Sequence, residues 1–299
     1  MTWAHAALIS AAILAVVSVL DSHLVSRRFP GLRQFLLLVG VIHIAYAIVL
    51  SRLAPLPDGI GFAHAGWAVL SSLIRTGAII LLLDSLRRQD VSAVVPVVYA
   101  YPMWVAIIAV VVLDEALAWQ QWLAILVVAC GAVLISVNGR QSLTQMERPR
   151  SALILLVTVL FALADVTGKV ALAYISFWNL FWIGAGVMGT VFVTVSLRRG
   201  VMCEIAALPN RRRSLALLAV NEVIAPVGIV ISYWALQHGP VSLVSTLLST
   251  RSLFVLVYAL LLGLWAPGFL LRSGGRRLVV VRVLATLMIV GGIAVIEML

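Results

Sequence analysis

The sequence predicts an all-α integral membrane protein of ten transmembrane helices, arranged as two inverted five-helix repeats. Three observations carry that prediction. Of 299 residues, 63% are hydrophobic and 11% charged, with a mean hydropathy of +1.15, more apolar surface than one water-soluble core can enclose. Apolar segments of the length that a hydrocarbon core of about 30 Å requires recur along the whole chain. The arginines, finally, sort by loop in a way that orients those segments.

The spans fall at 5–25, 34–53, 62–86, 91–112, 119–138, 151–172, 176–197, 214–236, 240–265 and 279–298. The first is followed, not preceded, by Arg27 and Arg28 and carries no small-residue cleavage site, so it reads as a retained helix rather than a secretory signal. Of 21 basic residues, 17 lie in odd-numbered loops or at the span edge that borders them, from Arg27 and Arg28 to Arg276, Arg277 and Arg282. The positive-inside rule therefore puts those loops in the cytoplasm and both termini outside it. The net charge of +10 serves orientation and anionic lipid contact, and no nucleic-acid partner is expected. Cys130 in the fifth span and Cys203 in a basic loop make neither a disulfide framework nor a metal site.

Shifting the chain by 150 residues lays Leu86–Leu113 on Leu236–Gly263, with identities at Leu86/Leu236, Val91/Val241, Ser92/Ser242, Val94/Val244, Val105/Val255 and Ala109/Ala259. In both copies a polar turn ends one helix and a Val-Ser step opens the next. Five spans per copy is an odd number, so the second copy crosses in the opposite sense, the design of many secondary transporters. The expected division is 1–139 for the first repeat, 140–150 for a cytoplasmic linker and 151–299 for the second.

The segment VVPVVYAYPMWVAIIAVVVLDEALAWQQWLAILVVACGAVLIS resembles the fourth and fifth helices of the drug/metabolite transporter superfamily, in its ten-helix EamA branch. The pattern there is a proline-bearing fourth helix ending in Leu-Gly-Glu, then a Gln before a fifth helix rich in small residues. Glu115, Gln120 or Gln121, and Gly131 fit, Asp114 replaces the glycine, and Leu264 and Trp265 follow Gly263 where the second copy would carry the acid. The resemblance implies a carrier of small metabolites whose cavity is lined by the first four helices of each half. It also implies termini in the cytoplasm, opposite to the arginine count.

Ionisable groups at membrane depth cost at least about 2.5–3.5 kcal/mol on insertion scales and face a partner or a wet cavity. On the third span Ser71, Ser72, Arg75 and Thr76 share an arc, and on the eighth Asn221, Glu222, Ser232 and Tyr233 do so. Arg75 and Glu222 lie at similar depth and can meet, either as a structural ion pair or as part of a substrate site. A carboxyl withdrawn from water without a full counter-charge favours its neutral form, which makes Glu222, Asp165 and Asp21 proton-coupling candidates. Asp165 and Lys169 are also spaced for an i,i+4 pair, and His23 and His43 read as packed or interfacial residues. On the ninth span Ser242, Ser245, Thr246, Ser249, Thr250 and Ser252 fill one arc, able to bond substrate or neighbouring helices. Arg251 points away from them, toward either an acid on an adjacent helix or the cavity. Tyr99, Tyr101 and Trp104 flank Pro96 and Pro102, whose freed backbone groups can mark a binding region or a tolerated kink. Trp178, Asn179 and Trp182 follow on the seventh span, and GAGVMG beyond them suits close helix contact.

No phosphate loop, zinc-protease motif or calcium loop occurs, so no cofactor or metal is expected and the chain reads as no enzyme. The expectation is a secondary-active exporter of a small polar or amphipathic, amino-acid-like metabolite in a bacterial-type inner membrane, as a monomer or homodimer among membrane lipids. A flippase for a phosphate-linked lipid or lipid-linked sugar is the first alternative, and a non-transporting membrane enzyme or assembly partner the second.

Overall fold

A computed structural model describes residues 2–88, 98, 100–136, 148–208, 210–265 and 276–298. Among these the chain is predominantly helical, without strands. The helices are α1 (Trp3–His23, extended by a π-turn at Leu24–Arg28), α2 (Leu32–Leu53), α3 (Phe62–Arg88), α4 (Tyr101–Val112), α5 (Trp119–Ser136) and α6 (Arg148–Leu172). They continue with α7 (Phe177–Ser196), a short α8 (Val201–Ala206), α9 (Arg211–His238), α10 (Val241–Ser249), α11 (Arg251–Trp265) and α12 (Arg276–Met298). Seven described segments are long and apolar enough to cross a membrane, and three shorter apolar helices accompany them at Tyr101–Val112, Trp119–Leu134 and Val283–Ile296. Helices occupy the described parts of the predicted segments, the ninth as two helices, and the start of the fourth, with Pro96 and Tyr99, lies outside the described residues.

Local chemistry sets the helix ends. Ser176 opens α7 through a capping box with Asn179, two otherwise orphaned donors being satisfied reciprocally. Pro102 stands in the first turn of α4, where its missing N–H is no loss. It therefore stands at the start of the described helix, while most of the stretch before it, Pro96 included, lies outside the described residues. Asp114 adopts a φ of 53° just after α4, the left-handed region in which glycine is unstrained and Asp is tolerated. A glycine, as in the pattern this segment resembles, would be unstrained there.

Packing joins helices from opposite ends of the sequence. α1 lies along α9, α2 along α7, α3 along α6 and α5 along α12. Each pair runs antiparallel. Ser10 Oγ donates to the Gly228 carbonyl at 2.8 Å while Asp21 lies beside Asn221. The α2 end at Ala54 meets Asn179 and Trp182, and its middle meets Gly189. A Cβ on Gly189 would stand 2.8 Å from the Gly40 carbonyl oxygen, and one on Gly40 would stand 3.0 Å from that of Gly189. The close contact suggested by GAGVMG falls at its last glycine. On the α5–α12 face, Gly131 and Gly292 take the same part against Ile289 and Val128.

Two polar side chains tie helix ends across the bundle. Glu115, from the motif after α4, accepts the Val241 N–H at 2.6 Å, the Ser242 N–H at 3.3 Å and the Ser242 hydroxyl at 2.5 Å. It caps α10 from another part of the chain, placing negative charge at the positive end of a helix. Glu115→Ala is expected to destabilise by about 1.5–3 kcal/mol, the range for bonds to a charged group, read as a lower melting temperature of the detergent-purified chain. At the other terminus type, Lys169 Nζ donates to the carbonyls of Leu236 at 2.6 Å, Gln237 at 3.3 Å and Gly239 at 2.8 Å, closing the C-terminal end of α9. The expected Asp165–Lys169 pair is therefore corrected: three carbonyls at a helix end hold this cation, and Asp165 turns elsewhere.

Candidate functional site

Arg75 and Asp165 form the central ion pair. Residues on one helix face recur every three or four positions, and α3 uses this to aim Ser71 and Arg75 together at α6. Ser71 Oγ donates to the Ala164 carbonyl at 2.7 Å, and Arg75 Nη2 meets Asp165 Oδ1 at 2.6 Å. Gly168 makes room, since its Cβ would lie 3.1 Å from Ser71 Oγ. Asp165 is buried while Arg75 keeps 24% of its side chain exposed. The guanidinium carbon sits 5.7 Å from the centre of the buried Tyr233 ring, within cation–π range. Arg75 Nε is buried without a hydrogen-bond partner. The expected Arg75–Glu222 meeting does not occur; a helical wheel fixes the direction of Arg75, but the acid that α6 brings in that direction is Asp165.

A second polar group surrounds Glu222. Asn221 Nδ2 donates to Asp21 Oδ1 at 2.9 Å and to Glu222 Oε1 at 3.4 Å. From α2, His43 Nδ1 lies 3.4 Å from Glu222 Oε2, and the Tyr46 hydroxyl donates to the Glu222 carbonyl oxygen at 2.5 Å. His43, read from the sequence as merely packed or interfacial, is thus buried against a carboxylate. The signal was its spacing: His43 and Tyr46 are three apart and share a helix face. His23, at the end of α1, instead accepts from Arg28 Nε at 3.2 Å.

The other candidates divide between structural and surface roles. On α10 the hydroxyls of Ser245, Thr246, Ser249 and Thr250 donate to carbonyls three or four residues earlier in their own helix. The arc is buried; these four hydroxyls bond within their own helix, and Ser242 alone of the arc reaches another segment, at Glu115. Such back-bonding bends helices, and at Thr250 the helix breaks, so that Arg251 opens α11. Arg251 Nε reaches Ser18 on α1, one turn from Asp21, on which its charge acts. Ser72, Thr76 and Ser232 likewise bond within their own helices. Asn179 Nδ2 and Trp182 Nε1 donate to the Ala54 carbonyl at 2.9 and 3.0 Å. Trp178 is 41% exposed beside Phe177, and Trp104 packs on the main apolar core. The Tyr101 hydroxyl donates to the Ser245 carbonyl at 3.2 Å. An apolar groove of about 500 Å³ lies between α2, α3 and α7, lined by Ala47, Leu56, Val69 and Trp182 among others, and none of the buried ionisable groups borders it.

The fold and these paired charges define a multi-pass helical membrane protein. Residues 1–137 match the family model of the EamA-like transporters, so this part of the chain is similar to that family. A solved crystal structure, 17% identical, superposes over 98% of this chain and 97% of that chain with a TM-score of 0.70. At that identity it speaks for the fold alone. Among curated proteins no sequence matches.

Proposed function

We propose that the protein is a secondary-active carrier that exports a small, zwitterionic or amphipathic, amino-acid-like metabolite by alternating access between two inverted five-helix repeats. The repeats are residues 1–139 and 151–299, in a bacterial-type inner membrane with both termini outside the cytoplasm. Support for the inverted arrangement comes from the reciprocity of packing: α1 on α9 is matched by α6 on α3. Gly40 and Gly189 approach each other's carbonyls, as residues beside a two-fold axis do.

The observation that carries the substrate reading is the Arg75–Asp165 pair, 2.6 Å apart between the two halves. An ammonium-carboxylate ligand exchanges with such a pair charge for charge, its carboxylate on Arg75 and its ammonium on Asp165, leaving no buried charge unmatched. Tyr233 and Tyr101 would flank it. A phosphate headgroup would meet repulsion from Asp165, which favours the zwitterion over the flippase reading. Purified protein in lipid vesicles loaded with labelled amino acids tests this. Efflux several-fold above protein-free vesicles after a pH jump is expected. Scrambling of labelled lipid headgroups without amino-acid movement overturns the carrier in favour of the flippase, and neither activity overturns both.

A further inference from the structure

Glu222 has one carboxylate oxygen held and one that is not. Oε1 shares the Asn221 amide with Asp21, at 3.4 and 2.9 Å. Oε2 has no hydrogen-bond partner, and neither has Asn221 Oδ1. Both residues are buried, at 4% and 1% exposure, and His43 beside them at 6%. Unpartnered oxygens so deep in the protein need an added donor, because leaving such groups unsatisfied costs about 1–3 kcal/mol and more when charged.

Charge balance says which donor. From α1 the cluster is faced by Asp21 and Ser18, from α2 by His43 and Tyr46, and from α11 by Arg251. α7 and α10 also pack on α9 and carry no ionisable side chain. Asp165 and Lys169 of α6 are engaged by Arg75 and by the end of α9. Arg27, Arg28 and Arg213 gather around His23 at the helix ends. His43 Nδ1 lies 2.9 Å from the Val39 carbonyl, which a neutral ring satisfies with its own N–H. Two ionised carboxyls against Arg251 would leave one negative charge enclosed at membrane depth, an expensive arrangement. One proton removes it and supplies the missing donor. No group of three or more metal-ligating side chains occurs among the described residues.

We propose that Glu222, coupled to Asp21 through Asn221 and flanked by His43, is a proton-binding site separate from the Arg75–Asp165 pair. Binding places one proton from water on a Glu222 carboxyl oxygen and changes no other bond. Its use in driving transport rests on the carrier reading; the binding itself does not.

Infrared difference spectra of the full chain in vesicles, recorded as pH is lowered, test the site. Above about pH 5 exposed carboxyls are ionised, so a protonated-carboxyl band growing in that range reports a buried acid. Glu222→Gln is expected to abolish the band, and the double variant Arg75→Met with Asp165→Leu to keep it. Asp21→Asn removes a like charge and is expected to move the band's midpoint to lower pH. A wild-type chain without the band, a band surviving Glu222→Gln, or an unmoved midpoint in Asp21→Asn overturns the proposal. If Glu222→Gln does not fold, Asp21→Asn decides alone. A chain that shows the band and moves no labelled substrate keeps the proton site and loses only the carrier.

Discussion

Asp165→Ala is expected to destabilise the protein by about 3–5 kcal/mol, the range for removing one member of a buried ion pair. The mutation leaves the Arg75 guanidinium inside the helix bundle with its carboxylate gone and its Nε already without a partner. The Tyr233 face compensates only partly, since a cation–π contact contributes about 0.5–2 kcal/mol. Thermal denaturation of the detergent-purified chain measures the loss. Arg75→Met combined with Asp165→Leu replaces both charges with apolar groups and is expected to restore most of that stability, while transport stays absent. Wild-type transport by the double variant would reduce the pair to a packing device. The exchange Arg75→Asp with Asp165→Arg separates the roles further: a purely structural pair tolerates it, whereas a site that orients a zwitterion between fixed helices does not.

At the crossing of α2 and α7, Gly189→Ala is expected to cost about 1–3 kcal/mol, as overpacking typically does. The new methyl would stand 2.8 Å from the Gly40 carbonyl oxygen and 2.9 Å from the Ile44 nitrogen. Both are backbone atoms, which cannot swing aside as a flexible side chain does. Gly291 on α12 is the control. A Cβ there meets nothing within 4 Å, and Gly291→Ala should stabilise by about 0.5–1 kcal/mol through reduced backbone entropy. Equal effects at the two positions would show that the α2–α7 contact is looser than described.

Much of the fold was legible because a bilayer reduces the problem to length and hydropathy. Helix spans, the depth of each polar residue and the face it occupies follow from counting along a 3.6-residue repeat, and the helices at Leu32–Leu53, Phe177–Ser196 and Arg211–His238 lie within a few residues of expectation. The partner of a buried charge does not follow from counting. Arg75 was at the right depth for Glu222, yet Asp165 stands opposite it, because azimuth on one helix says nothing about which neighbour fills that direction. His43, Tyr46 and Ser18 were passed over for the same reason: each acquires its part only when α2 or α1 is laid beside α9 or α11. For the serine arc, composition cannot tell which hydroxyls turn back onto their own carbonyls, as those of Ser245 and Thr246 do, and which reach another segment, as that of Ser242 does. By itself, then, the sequence determined a multi-pass helical membrane protein and the residues expensive to bury in it. Tertiary structure decided how those residues share charge, because the low dielectric between helices makes each buried ion depend on the one group packed against it.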